Sequence, residues 1–270
     1  MRSLIKAING QRVFLIDYQA ARQHLDIVSQ RGFTDILAQM FGEKPKSYLA
    51  GSTAVVNLQG VIGKGLSPLE SYGAADLDVV DDEIDKAVDA GAKRLLLNIN
   101  SPGGTIEGVE EMANKVRGLK IPTIAFTAGS MDSAAYWIGG GGADRVVVTP
   151  SASVGSVGVY SVLHNSAEAA RAQGIEVLVF RSGDKKGIGI PGTSVSPEQA
   201  ADLQNSVDGA AEIFKASVKM KRKMLPDEVL DGRSVTGREA IKLGFATGLV
   251  DSLKALLIQL EGKGYQVKPL

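Results

Sequence analysis

Short apolar runs recur along the chain from Thr53 onward, separated by longer stretches of mixed character. A run of about four to eight apolar residues, bounded by Gly or by polar residues, is typical of a buried strand. Five segments have this form and predict strands: TAVVNLQG (53–60), KRLLLNIN (93–100), IPTIAFTA (121–128), DRVVVTP (144–150) and IEVLVF (175–180).

The stretches between these runs carry apolar residues at helical spacing. In DLDVVDDEIDKAVDAG the apolar positions are Val79, Val80, Ile84 and Val88, and Gly91 stops the helix. Further helices are predicted over residues 105–120, from near Ser133 through AAYWIGGGG, over residues 163–173, from Ser196 to about residue 223, and over VDSLKALLIQLEG. Strands that alternate with helices predict an α/β fold with much parallel strand pairing.

The remaining segments set the expected domain limits. Residues 1–50 are predicted to form a separate arm, with helix-forming residues from Tyr18 to Phe41 followed by a polar connector, GEKPKSYLAGS. Residues 51–255 form the predicted main domain, and residues 256–270 a C-terminal tail. The segments 63–75 and 151–161 are predicted to be loops. The loop over 181–196 is too long for a plain connector, which favours a functional role.

Composition narrows the possible functions. Thirty basic residues balance thirty acidic ones among 270, so the basic surplus typical of proteins that bind nucleic acid through phosphates is absent. The densest basic stretch, KASVKMKRKM (215–224), is interpreted as a solvated helix face. The chain has no cysteine, which excludes disulfides, thiolate chemistry and cysteine zinc sites, and its only two histidines, His24 and His164, disfavour a histidine-based metal site. With no apolar run long enough to span a bilayer and a poor signal peptide, we expect a soluble cytoplasmic protein.

A serine at a strand-to-helix junction is the first candidate for chemistry. Ser133, in GSMDSAAYW, precedes a predicted helix, and the positive end of a helix dipole favours developing negative charge. The N–H groups of Ala134, and of Gly103 and Gly104 in the turn SPGG, can form an oxyanion hole. Each signal also has a purely structural interpretation, with Ser133 as a helix N-cap and SPGG as a tight turn.

Lys185 and Lys186, in the loop RSGDKKG, are the candidate bases. A lysine takes up a proton near neutral pH only where desolvation lowers its pKa. The apolar segment IEVLVF leads into this loop, so we expect one of the two lysines to be buried. A solvated pair of charges is the alternative.

In the order and spacing of these segments the chain resembles the signal peptide peptidase A family. It is most similar to the subgroup found in tailed phages and prophages, where such enzymes act as head maturation proteases. The matching segments are TAVVNLQGVI, LLLNINSPGG, IPTIAFTAGSMDSAAYWIGGGGADRVVVTPSASVGSVGV, FRSGDKKGIGIPG and DGRSVTGREAIKLGFATGLVDSL. They extend over about three quarters of the chain and leave residues 1–50 outside.

The resemblance implies a role for each matching residue. The family's nucleophile falls on Ser133, and its base, the lysine that ends a Ser-Gly-x-x-Lys stretch, falls on Lys186. The serine that orients this lysine falls on Ser156, in VGSVGV. The turn at Gly103–Gly104 and the N–H of Ala134 would supply the oxyanion hole. The implied reaction is peptide-bond hydrolysis through an acyl-enzyme, without a metal or organic cofactor.

The resemblance also implies a ClpP/crotonase-like spiral of strands and helices, extended by the N-terminal arm and by C-terminal helices. Family members form ring- or dome-shaped homo-oligomers, so the active site would lie near a subunit interface, with a contribution from a neighbour. The implied substrates are flexible polypeptides, such as capsid or scaffold proteins inside a phage procapsid. Two residues depart from the family pattern. Asp132 is expected to point away from the site, and Trp137 to line a substrate pocket or pack in the core.

Three alternatives stay open. Caseinolytic-protease subunits share the SPGG turn but use a Ser–His–Asp triad. Their histidine is expected at Gly158, whereas His164 lies in a predicted helix. Crotonase-type acyl-CoA enzymes share the core and the paired N–H groups but do not need the two serines and the lysine together. A phage head protein could also keep this fold as a non-catalytic assembly or scaffold protein.

Overall fold

The computed structural model describes residues 13–16, 47–67, 70, 71 and 73–270. Within these residues the strands are β1 (Val13–Ile16), β2 (Tyr48–Ala50), β3 (Thr53–Gln59), β4 (Val61–Gly63), β5 (Ala74–Asp76), β6 (Arg94–Asn100), β7 (Gly103–Thr105), β8 (Thr123–Thr127), β9 (Ser130–Asp132), β10 (Arg145–Val148), β11 (Ser153–Gly155), β12 (Tyr160–Ser161), β13 (Ser234–Thr236), β14 (Gly248–Leu249) and β15 (Val267–Pro269). The α-helices are α1 (Leu77–Asp89), α2 (Val109–Gly118), α3 (Ala134–Gly142), α4 (Ala167–Ala172), α5 (Pro197–Lys221), α6 (Gly237–Leu243) and α7 (Leu253–Glu261).

Three sheets organise the strands. The largest has the order β14–β10–β8–β6–β3–β2–β15. Its strands β3, β6, β8, β10 and β14 are parallel, and β2 and β15 add antiparallel pairs at one edge. The second sheet has the order β12–β1–β7–β4–β5, and the third the order β13–β11–β9. The crossovers between β3, β6, β8 and β10 contain α1, α2 and α3 in turn, as parallel strands require a long connection.

The central strands are apolar on both faces because each face of the main sheet is covered. On β3, Val56 and Leu58 belong to a large cluster that includes residues of α1, α2, α3 and α5. Val55, which points the other way, belongs to a second cluster with Leu256 and Leu257 of α7. This alternation explains why TAVVNLQG reads as a continuous apolar run rather than as an apolar–polar repeat.

Four of the five predicted strands are confirmed as β3, β6, β8 and β10. The prediction over IEVLVF is wrong, because residues 175–180 form no strand. Ile175, Leu178 and Phe180 are 52%, 68% and 93% exposed. The run is apolar, but it neither pairs with a strand nor packs on the core clusters of the described chain, so its composition alone does not make it a strand.

The predicted helices are present with corrected details. On α1, Val80 and Ile84 are buried as expected, whereas Val79 and Val88 are 54% and 41% exposed. The buried face follows the three-to-four-residue spacing from Leu77, and the two exposed valines lie one step off it. The helix predicted over 163–173 begins only at Ala167, and the segment 151–161 contains β11 and β12 rather than being entirely loop.

The predicted domain limits cut through the main sheet. Strand β2 precedes residue 51, and β15 and most of α7 follow residue 255. Strands β2 and β15 nevertheless belong to the main sheet, and α7 contributes Leu256 and Leu257 to the second core cluster. Glu261, at the end of α7, forms an ion pair with Arg94 of β6 at 2.8 Å. The helices predicted between Tyr18 and Phe41 lie outside the described residues.

Candidate active site

Ser133 lies in a strained turn between β9 and α3. Its backbone has φ 57° and ψ −120°, a combination that L-residues avoid and that recurs at functional sites. The Ser133 N–H donates to the carbonyl of Gly155 at 2.8 Å, and its carbonyl accepts from the N–H of Trp137 at 2.9 Å. The side chain makes no N-cap hydrogen bond, so the simple N-cap interpretation does not hold. Ser133 is only 1% exposed, so it is less accessible than a nucleophile that faces open solvent would be.

Ser156 is the partner of this turn in the next loop. Among the described residues that are not glycine, only Ser133 and Ser156 have a positive φ, and that of Ser156 is 52°. Strand β11 pairs in parallel with β9, which places Gly155 opposite Asp132. The Ser156 N–H donates to the carbonyl of Arg233 at 2.7 Å. The fold therefore brings the two serine turns side by side.

The SPGG turn is joined to the same strand. The Ser101 N–H donates to the carbonyl of Ser130 at 2.8 Å, and the Asp132 N–H donates to the carbonyl of Ser101 at 3.2 Å. The Gly103 N–H donates to the Ser101 hydroxyl at 3.1 Å, so it is engaged within the turn. A Cβ on Gly104 would lie 1.9 Å from the carbonyl oxygen of Ile62. Only glycine therefore fits at this position.

Helix α3 is buried along its whole length, including its four consecutive glycines. A Cβ on Gly139 would lie 2.7 Å from the sulfur of Met131 and 3.0 Å from the Ala125 methyl. A Cβ on Gly140 would lie 2.5 Å from the Tyr136 ring. These glycines cost helix propensity, but they allow α3, which begins directly after Ser133, to approach the main sheet closely.

Two arginines that the sequence did not single out bind the carboxyl end of α3. The Arg117 guanidinium donates twice to the carbonyl of Gly141, at 2.9 and 3.0 Å. Arg222 donates to the carbonyls of Gly140, Ala143 and Asp144 at 3.1, 2.5 and 3.1 Å. Cations at this end complement the helix dipole. Burial lowers the pKa of Arg222 below the ordinary arginine value, and the side chain is 5% exposed.

The two departures from the family pattern have clear structural roles. Asp132 is 4% exposed and accepts a hydrogen bond from the Ser234 hydroxyl at 2.8 Å, which ties β9 to β13. Trp137 is 1% exposed and stacks on Phe214 of α5, with ring centroids 4.6 Å apart. Its interpretation as core packing is therefore the correct one.

Lys186 is not brought next to Ser133 by any contact in the described chain. The expectation that one of the two lysines is buried is wrong, because both are exposed. Lys185 forms an ion pair with Asp202 of α5 at 2.7 Å. The backbone of Lys186 bonds to Gly183 and Arg181 of its own loop. Within residues 47–67, 70, 71 and 73–270, its side chain has neither a hydrogen bond nor an ion pair.

His164 is the histidine that the structure describes, and it forms no part of this arrangement. His164 is exposed, in the connection between β12 and α4 rather than in a helix. His24 lies outside the described residues.

The part of the chain that the structure describes contains no cluster of three or more His, Cys, Asp or Glu side chains that could hold a metal ion. None of its helices is long and apolar enough to cross a membrane.

A cavity of about 460 Å³ opens beside the SPGG turn. It is lined by Pro102 of the turn, by Ser130 at the start of β9, and by the ends of β3 and β6 at Gln59 and Asn100. The carboxyl ends of parallel strands are the usual place for ligand sites in α/β sheets. The cavity thus lies at the edge of the sheet where the turn and β9 meet.

Sequence comparison identifies several proteases that are similar to this chain. The chain is 31% identical to the capsid assembly protease C of Escherichia phage lambda over 169 aligned residues, and this alignment covers 61% of this chain and 38% of that protein. It is 28% identical over 210 residues to Protease 4 of Salmonella typhi, covering 75% of this chain and 32% of that protein. The chain thus spans well under two thirds of the length of either relative.

A solved structure of the ClpP1 N165D mutant from Listeria monocytogenes is similar in fold, with a TM-score of 0.50 at 12% identity, over 75% of this chain and 94% of that one. This confirms the predicted ClpP/crotonase-like α/β fold. A model of peptidase family S49 matches residues 115–261, which include α3 with its buried glycines and the loop that carries Lys186. This match extends over more than half of the sequence and shows that the chain belongs to peptidase family S49.

Proposed function

We propose that the chain is a serine endopeptidase in which Ser133 is the nucleophile. The observation that carries this proposal is the backbone of Ser133, a buried serine held at φ 57° directly before a helix. Strain of this kind costs about 1–3 kcal/mol and is kept only where the surroundings enforce it. Here the bond to Gly155 and the buried α3 do so.

The oxyanion formed by attack of Ser133 would be bound at the positive end of α3. The N–H of Ala134, the first residue of that helix, is one donor, and the Gly103–Gly104 turn supplies the other. Because the Gly103 N–H is bonded to the Ser101 hydroxyl, substrate must displace this bond or use Gly104 instead. Ser156, in the adjoining strained turn, orients the base.

Lys186 acts as the general base in an oligomer rather than in a single subunit. Its loop follows the segment 175–180, whose Leu178 and Phe180 side chains are largely in water. Large apolar side chains exposed together mark an interaction surface. A neighbouring subunit that covers them would also remove water from Lys186, and the neutral lysine could then take the serine proton and deliver it to the leaving amine.

The substrate is a flexible polypeptide, and capsid or scaffold protein is the class that we propose. Support comes from the lambda relative, whose name is capsid assembly protease C, and from the head-tail preconnector protein GP5 of Enterobacteria phage P21, which is 27% identical over 175 residues. Processing inside a procapsid would place the enzyme and its substrate in one closed compartment.

Cleavage of fluorescein-labelled casein tests the nucleophile and the base. We expect Ser133→Ala and Lys186→Ala to abolish cleavage with an unchanged circular dichroism spectrum, and Lys185→Ala, the adjacent charge, to retain it. Ser156→Gly removes the hydroxyl but tolerates the positive φ, so its loss of activity would report on the hydroxyl alone. An active Lys186→Ala together with an inactive His164→Ala would replace the lysine by a Ser–His mechanism.

Mixing inactive variants tests whether the base comes from a neighbour. If Lys186 serves the Ser133 of an adjacent subunit, refolding Ser133→Ala together with Lys186→Ala yields some intact sites and restores part of the cleavage. No recovery in a mixture that light scattering shows to be oligomeric would refute the shared site. A silent wild type that also fails to react with a fluorophosphonate would indicate a non-catalytic assembly protein.

A further inference from the structure

The second sheet contains a strand that comes from far outside the main domain. Strand β1, residues 13–16, lies between β7 and β12 and pairs antiparallel with both. Its register places Ile16 opposite Gly103 and Leu15 opposite Gly104. On the other side, Val13 lies opposite Ser161. The backbone of β1 therefore runs along the two glycines that are the proposed oxyanion donors.

The strands on either side of β1 do not pair with each other. In the sheet order β12–β1–β7–β4–β5, β12 joins the described sheet only through β1. Neighbouring strands lie about 4.8 Å apart, so without β1 the edges of β7 and β12 would face each other across about 10 Å. Two unpaired edges at that separation are a slot for one extended polypeptide, which would gain backbone hydrogen bonds on both sides.

The walls of this slot belong to the proposed active site. Strand β7 starts at Gly103, and Gly104 has no room for a side chain next to Ile62. Strand β12 starts at Tyr160, four residues after Ser156 in the same loop. An extended chain in the slot is thus held between the oxyanion turn and the segment that follows Ser156, in the direction antiparallel to both strands.

We propose that residues 13–16 are an internal competitor: they occupy the slot between β7 and β12 as an extended strand, and a substrate polypeptide must displace them to lie beside the Gly103–Gly104 turn. This inference rests on the proposed peptidase function for the identity of the displacing ligand. A tethered occupant competes at an effective concentration on the order of millimolar. A substrate segment that pairs only weakly is therefore excluded until β1 leaves.

A binding experiment separates this inference from catalysis. All variants carry Ser133→Ala in the full chain, and the probe is a fluorescein-labelled peptide with the sequence of residues 11–18, QRVFLIDY. Leu15→Pro removes one backbone N–H from the middle of β1, where proline is poorly tolerated between two neighbouring strands, and so disfavours its place in the sheet. Leu15→Ala is the matched control that keeps the backbone intact. We expect Leu15→Pro to bind the peptide at least about tenfold more tightly than Leu15→Ala, measured by fluorescence anisotropy.

A disulfide lock tests the same point in the opposite direction. The chain has no cysteine, so Val13→Cys with Ser161→Cys creates a single pair, at positions that face each other in the antiparallel register. Oxidation should close the slot and abolish binding of the peptide, and dithiothreitol should restore it. Each single-cysteine variant should be insensitive to both treatments.

Equal affinity of the Leu15→Pro and Leu15→Ala proteins would overturn the inference, as would unaltered peptide binding after the lock is shown by mass spectrometry to be oxidised. Because neither readout requires turnover, an inactive wild type would count against the peptidase function and not against the slot.

Discussion

Arg222 gives a quantitative test of how the helix behind Ser133 is held in place. Its guanidinium donates three hydrogen bonds to carbonyls at the carboxyl end of α3, and those to Gly140 and Ala143 are buried. Arg222→Met keeps an apolar stem of similar length and removes all the donors. The carbonyls then lose their partners at the point where the helix dipole is negative.

The magnitude follows from the two buried bonds. Hydrogen bonds that involve a charged group contribute about 1.5–3 kcal/mol each, so the loss of two amounts to about 3–6 kcal/mol. Removing a buried charge recovers part of this, because the guanidinium no longer has to be desolvated. We therefore expect Arg222→Met to lower the free energy of unfolding by about 2–4 kcal/mol.

Urea unfolding followed by tryptophan fluorescence measures this change. Trp137 is the single tryptophan of the chain, and it belongs to α3 and stacks on Phe214. Lys221→Ala is the matched control, since Lys221 pairs with Asp144 at 2.6 Å near the surface and should contribute at most about 1 kcal/mol. If both variants lose less than about 1 kcal/mol, the reasoning is refuted, because water must then satisfy the carbonyls as well as Arg222 does.

Three further changes are expected to show measurable effects. Gly139→Ala should destabilise the fold by about 1–3 kcal/mol through overpacking. Gly209→Ala, in α5 with nothing within 4 Å of the new methyl group, should instead stabilise it by about 0.5–1 kcal/mol. Urea unfolding compares the two variants, and equal effects would contradict the packing argument. Tyr136→Phe should cost about 1–2 kcal/mol, since its hydroxyl donates to the carbonyl of Phe245 at 2.8 Å in the core, and a neutral result in the same assay would mean that this carbonyl finds another donor. Burial disfavours the charged form of Glu261, but its hydrogen bonds and the ion pair outweigh this and lower its pKa. The stability that Glu261 contributes is therefore complete above the unfolded-state pKa of about 4.3 and is lost as the pH falls through the lower folded-state value. Between pH 6 and pH 3 the free energy of unfolding should decrease more steeply for wild type than for Glu261→Gln, and an equal decrease in both would contradict this.

The parallel core could be predicted from the sequence because its strands are buried on both faces. A run such as KRLLLNIN has few alternatives to a central strand, and its end at Asn100 leads directly into the SPGG turn. The junction at Ser133 was visible for the same reason, since a buried strand and a helix of small residues flank it. Its strained backbone was not visible, because it depends on the pairing of β9 with β11.

The role of Arg222 could not be read from local sequence. It lies in a lysine-rich stretch that resembles a solvated helix face, and its partners on α3 are about eighty residues away. One weak signal was available: a single arginine among lysines fits a site where several carbonyls must be bound at once, which lysine does less well. The strand predicted over residues 175–180 is wrong for a different reason: an apolar run predicts that its side chains are buried, but it does not specify which part of the molecule would cover them.

The pairing of β15 with β2 has a consequence for how the chain is made. Residues 267–269 complete the sheet edge formed by residues 48–50, although nearly the whole described sequence separates them. During translation, β2 can pair with β3 early, but its other edge stays open until the ribosome has released residues 267–269. Nascent chains therefore expose an unprotected strand edge for most of their synthesis, a state that is vulnerable to aggregation and that chaperones recognise.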